Sequence, residues 1–147
     1  MNEIRILHET VLLAVIIPDS FSATGIHFFT PDSFSQQLGY MSRPCGYSIA
    51  PHDHNPVSRS IDWTQETLFI RSGKVRLDIY APQSREYLES HILREGDIVL
   101  LAHGGHGLVM LEDSDIIEVK QGPYAGEADK ERFRQVPDDK VILKSGI

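Results

Sequence analysis

Two histidines two positions apart, His52 and His54 in "PHDHN", are followed after a gap by Glu66 in "TQETLFIR" and later by His103 and His106 in "LLAHGGHGLVML". These are residue types that hold a divalent metal ion. In an extended chain, residues two apart project to the same side, so His52 and His54 aim two imidazoles in one direction. Glu66 opens an expected strand whose same-face neighbours are Leu68 and Ile70, which puts its carboxylate at the rim of an apolar interior. Left ionised and unpaired there, a carboxylate costs several kcal/mol, and a divalent ion shared with two histidines meets that need. His106 shares parity with Leu108 and Met110, whereas His103 sits in the preceding glycine turn; either is a candidate for the fourth position, and parity favours His106. Neutral imidazoles with one carboxylate and no thiolate in reach suit Fe(II), Mn(II), Ni(II), Co(II), Cu(II) or Zn(II). Taken singly, each histidine is as well explained as a satisfied or exposed side chain, and the spacing of the set is what separates the two accounts.

The elements that must carry these residues read as short strands. "VLLAVII" at 11–17 is rich in β-branched residues and is expected to be a buried strand, although Ile4, Leu7, Val11 and Val15 would also line one helix face. "KVRLDIY" at 74–80 alternates Val75, Leu77 and Ile79 with Lys74, Arg76, Asp78 and Tyr80, which predicts one core face and one wet face. "SGK" is expected to join it to "TLFIR" as a hairpin over 66–80. Further strands are expected at "EYLESHIL", "IVLLA" and "GLVMLEDSDIIEVKQ", the last folded at "EDSD". The pattern is all-β, with a turn or two of helix only in the tail, 124–136. "PDSFS" occurs at 18–22 and 31–35 and reads as turn chemistry between strands.

The 147 residues, 41% of them hydrophobic, suffice for one packed domain. A formal charge of -7, from 14 Lys+Arg against 21 Asp+Glu, repels phosphate backbones and anionic membranes, so neither nucleic acid nor membrane is an expected partner. The apolar run at 11–17 is too short to span a bilayer, has acidic residues before it and is not followed by a small-residue cleavage site. A single cysteine, Cys45, points to a reducing compartment, and a cytoplasmic location is expected.

In the spacing of its motifs the chain resembles a cupin. Gly46, five residues, His52-Asp53-His54, and later Glu66, six residues and Gly73 are similar to that family's first motif. Gly96, five residues, "AHG" at 102–104 and His106 are similar to its second. The gap from His54 to Glu66 is eleven residues where the family usually has three or four, so the loop 55–65 is an expected lid or substrate-facing element. The second turn lacks proline, and His106 arrives one position early. The resemblance extends to small single-domain cupins of unassigned activity, some associated with surface-sugar biosynthesis.

It implies one cupin domain over 1–147, a double-stranded β-helix (jelly-roll) barrel with its core over about 38–121, commonly dimeric, with a divalent metal (Fe, Mn, Ni or Zn) in the mouth. Around that metal, Glu118, Lys120 and Tyr124 in "EVKQGPY" are the next candidates, since Glu118 and Lys120 share a strand face with Ile116; they would bind a substrate carboxylate or hydroxyl, or else form a surface ion pair. Arg43, Tyr47 and Trp63 are weaker candidates. Three classes of function stay open: a metal-dependent enzyme, oxygenase or isomerase, acting on a small polar molecule; a non-catalytic small-molecule or sugar binder; and a metal-free barrel of the nucleotide-sugar epimerase type, with a histidine general base paired with an acid.

Overall fold

The structure, a computed structural model, describes residues 2–144. It forms two compact units, one from the segments up to Phe21 and from Trp63 onward, the other from Ser22–Asp62. Among the described residues, ten strands account for nearly all of the regular structure: β1 (Ile4–His8), β2 (Val11–Ile17), β3 (Gly25–Phe28), β4 (Gly39–Ser42), β5 (Glu66–Ser72), β6 (Lys74–Tyr80), β7 (Tyr87–Arg94), β8 (Ile98–Leu101), β9 (Gly105–Met110) and β10 (Asp115–Lys120). Two short 3-10 turns, Gly126–Asp129 and Asp138–Lys140, lie in the tail. The protein is all-β, as its alternating sequence leads one to expect.

The larger unit holds two antiparallel sheets, β1-β2-β8-β5-β10 and β7-β6-β9. They share one apolar cluster, to which Leu13, Ile16, Leu68, Ile70 and Val99 come from the first sheet and Val75, Leu77, Ile79 and Leu93 from the second. Both sheets keep open edges among the described residues, at β1 and β10 and at β7 and β9.

The expected hairpin over 66–80 does not form. β5 and β6 are consecutive yet belong to different sheets, and the chain passes from one to the other at Gly73, whose φ is 87°. A Cβ there would lie 2.2 Å from the Asp113 carbonyl oxygen, so only glycine fits. An apolar stripe on each of two neighbouring strands suits a hairpin, with stripes side by side, and equally suits a corner, with stripes facing across a core. The ladders to β8 and β10 on one side, and to β7 and β9 on the other, decide for the corner. The chain changes sheet again between β7 and β8, β8 and β9, and β9 and β10.

The expected wet face of β6 is also absent, because Arg76 and Asp78 are buried along with the apolar positions. Arg76 Nε donates to Asp78 Oδ1 at 2.9 Å, Arg76 Nη1 to Asp138 Oδ1 at 2.9 Å, and Ser90 Oγ to Asp78 Oδ1 at 2.6 Å. The tail closes over this pair. Val136 N donates to Tyr80 Oη at 3.0 Å, Ile142 N to Tyr87 Oη at 2.8 Å, and Ser90 and Leu143 form a parallel bridge. A charge pair in a core is tolerated when its remaining polar valences are met in this way.

In the smaller unit β3 and β4 pair as an antiparallel hairpin, and Gln37 braces its loop by donating to the carbonyls of Pro31 and Phe34 while accepting from Thr30 Oγ1. Residues 43–65 form no strand. The extended strand expected for His52 and His54 is therefore corrected: Pro44, Pro51 and Pro56 each remove a backbone donor, and no ladder forms across them.

Candidate functional site

At one end of the larger unit, ladder register brings polar groups from both sheets together. Glu66 is the first residue of β5 and stands between Leu101 of β8 and Lys120 of β10. Its face continues inward as Leu68 and Ile70, both buried. From the other sheet, His106 lies opposite Ile79 on β6, with Leu108 of the same face packed against the core. The two side chains meet across the end of the sandwich, His106 Nε2 lying 3.1 Å from Glu66 Oε2, with 34% and 18% of their side chains exposed. Lys120 Nζ is 3.7 Å from Glu66 Oε1, 3.7 Å from Glu118 Oε1 and 3.9 Å from Asp129 Oδ2. The Tyr124 ring lies 5.7 Å from the same ammonium, within cation–π range. Gln65 N donates to Gln121 Oε1 at 2.7 Å, which ties the start of β5 to the residue after β10.

The hydrogen bond from His106 holds the Glu66 carboxyl below its ordinary range; partial burial works against this, and the charges of His106, Lys120 and Lys130 add to it. For Lys120, desolvation pulls the ammonium down, but Glu118, Glu66 and Asp129 outweigh it and its pKa is raised. An ionised carboxylate can only accept, so His106 Nε2 is the donor, and in the neutral ring Nδ1 is left as the basic nitrogen.

Of the residues singled out from sequence, the structure thus gathers Glu66, His106, Glu118, Lys120 and Tyr124. His52 and His54 are neighbours of one another in the smaller unit, with ring centroids 5.3 Å apart, and both are exposed. His52 Nδ1 lies 2.9 Å from the Ala50 carbonyl oxygen. His103 packs edge-to-face on Trp63 at 5.5 Å. Arg43 sits over the Tyr47 ring at 4.8 Å, within the smaller unit. Asp129 and Gln121 join the site without having been legible beforehand, since Asp129 comes from a tail segment that has no alternating pattern to place it.

Does this donor set fit a metal? Two ligands in adjacent positions of an octahedral ion, each bound at ~2.1 Å, lie ~3.0 Å apart. The His106–Glu66 separation of 3.1 Å is the length of their hydrogen bond and also close to that spacing; His106 Nε2 would have to give up its proton to bind an ion. Imidazole and carboxylate are donors that borderline divalent ions take, and His52 and His54 form a separate imidazole pair in the smaller unit. Among the described residues no three His, Cys, Asp or Glu side chains stand grouped to hold an ion, so the donors occur as two pairs.

Among the described residues no helix is long and apolar enough to cross a membrane. Comparison of the chain with protein-family models, with curated proteins and with solved structures finds no match.

Proposed function

We propose that this protein is a cupin-like metalloprotein of jelly-roll type, acting on a small polar molecule at the end of its sandwich where Glu66 meets His106. The observation that carries the reading is the 3.1 Å contact between a glutamate that opens one sheet's strand and a histidine from the other sheet. The two lie forty positions apart in the chain, and each comes from a different one of the two motifs. Glu66 and His106 would hold the ion within the larger unit. A bound divalent ion there provides Lewis acidity and open positions for a substrate oxygen, in an oxygenase or isomerase. The chain's own groups do the rest. Lys120, Glu118 and Tyr124 hydrogen-bond and orient the substrate's hydroxyl or carboxyl, and the apolar floor under Glu66, formed by Leu68 and Leu101, keeps water from its inner side. The same reading carries a homodimer, checked by light scattering.

The test is elemental analysis of the purified protein by mass spectrometry, alongside a Glu66→Gln/His106→Ala variant. Near-stoichiometric iron, manganese, nickel or zinc, lost in the variant, supports the proposal. Absence of metal after reconstitution refutes it.

A second reading is favoured by a specific feature: both Glu66 oxygens are already engaged, one by His106 and one by Lys120. In a metal-free site Glu66 orients the imidazole, His106 Nδ1 serves as general base, and Lys120 stabilises developing negative charge, as in a sugar epimerase. Activity that survives exhaustive chelation but not His106→Gln would select this reading. A binder without turnover would respond to Lys120 or Tyr124 substitution in affinity alone.

A further inference from the structure

Lys120 is the last residue of β10, an edge strand, and stands directly opposite Glu66 in the ladder. Its ammonium has three carboxylate oxygens within 4 Å, from Glu66, Glu118 and Asp129, while only 19% of the side chain is exposed. A divalent ion seated on Glu66 would lie within a few ångströms of this ammonium, and like charges sharing one carboxylate repel strongly in a partly desolvated mouth. Glu118 and Asp129 offer the ammonium an alternative, because leaving Glu66 for them needs only a rotation of a flexible four-carbon stem and keeps the charge compensated. Tyr124 presents its ring on the same side.

We infer that Lys120 is a resident cation that occupies the place of the metal's charge beside Glu66 and sets the metal affinity of the site, withdrawing to Glu118 and Asp129 when an ion binds. The inference rests on the metal reading above. It makes Lys120 a determinant of affinity, and it explains why a carboxylate at an apolar rim can stand ionised without a metal.

The experiment is calorimetric titration of Mn(II) into the full chain stripped of metal, comparing wild type with Lys120→Met, Lys120→Gln and Lys120→Arg. Two neutral variants are used so that a packing fault peculiar to one of them does not decide the outcome. Removal of the ammonium is expected to tighten Mn(II) binding about tenfold in both, while Lys120→Arg stays within about threefold of wild type. Binding by the neutral variants but not by wild type also supports the inference, in its strongest form. Wild-type binding that is unchanged or weakened in both neutral variants overturns it and leaves the metal reading standing. No uptake by wild type or by either neutral variant overturns both.

Discussion

The two units of this protein hold their candidate ligands in opposite ways. In the larger one, Glu66 and His106 are placed by ladders: each is a register position with a named partner on either side or beneath, and their contact follows from how the two sheets share a core. In the smaller one, His52 and His54 lie on a proline-punctuated stretch with no ladder, exposed to solvent. One pair is preorganised by the fold and the other by its local chain alone. Preorganised groups give a site its geometry, and groups on a loop give it adaptability.

The sharpest way to break this contrast is to disturb the buried pair that supports β6. Asp78→Ala leaves the Arg76 guanidinium buried beside only the exposed Asp138, and a loss of about 3–5 kcal/mol in folding stability is expected by chemical denaturation. A loss under ~1 kcal/mol would mean that the tail does not bury the pair in solution.

Two glycines sharpen the same comparison, one from each unit. Gly73 and Gly46 have nearly the same φ, 87° and 84°. At Gly46 an added Cβ meets nothing within 4 Å, whereas at Gly73 it meets the Asp113 backbone at 2.2 Å. Gly46→Ala therefore carries only the conformational term, ~1–2 kcal/mol. Gly73→Ala is expected to lose more, ~3 kcal/mol or above, since backbone must shift as well. Equal losses would show that the corner between β5 and β6 is softer than its contacts indicate.

Smaller still is the pH-dependent contribution of Glu66. Its carboxyl is held below the ordinary value of 4.5, chiefly by the hydrogen bond from His106. A depressed carboxyl stabilises the fold above the unfolded pKa and loses that contribution as pH falls through the folded one. In metal-free protein, wild type should exceed Glu66→Gln by on the order of 1 kcal/mol near neutrality, and the difference should vanish as the medium is acidified below the lowered pKa. A constant difference across that range would argue against the ion pair. Last in size, the double change His52→Ala/His54→Ala should shift stability by no more than about 0.5 kcal/mol, because both side chains are exposed; a larger loss would place them in a load on the fold that their surroundings do not show.

Much of this arrangement was legible in the residues. Alternation located the strand at 74–80, β-branched residues the one at 11–17, and the strand expected at 86–93 lies one residue later, as β7 at Tyr87–Arg94; parity put Glu66 over Leu68 and His106 beside Leu108. What alternation does not encode is which sheet a stripe joins, and for that reason 66–80 reads as a hairpin and folds as a corner. Nor does it encode cover from afar: Arg76 and Asp78 look like a wet face until Asp138 and Val136 fold over them. For His52 and His54 the signals competed. Parity within "PHDHN" argued for a strand while Pro51 and Pro56 argued against one, and the missing donors prevailed. Asp129 gave no signal, because it reaches Lys120 from a tail turn.

The central proposal is that Glu66 and His106 together bind one divalent ion. X-ray absorption spectroscopy on the protein loaded with one equivalent of cobalt(II) tests it most directly by counting imidazoles around the metal. One imidazole with oxygen donors, lost in Glu66→Gln/His106→Ala, is the expected result. Cobalt without an imidazole in the wild type, or cobalt that stays bound unchanged when Glu66 and His106 are both replaced, would contradict it.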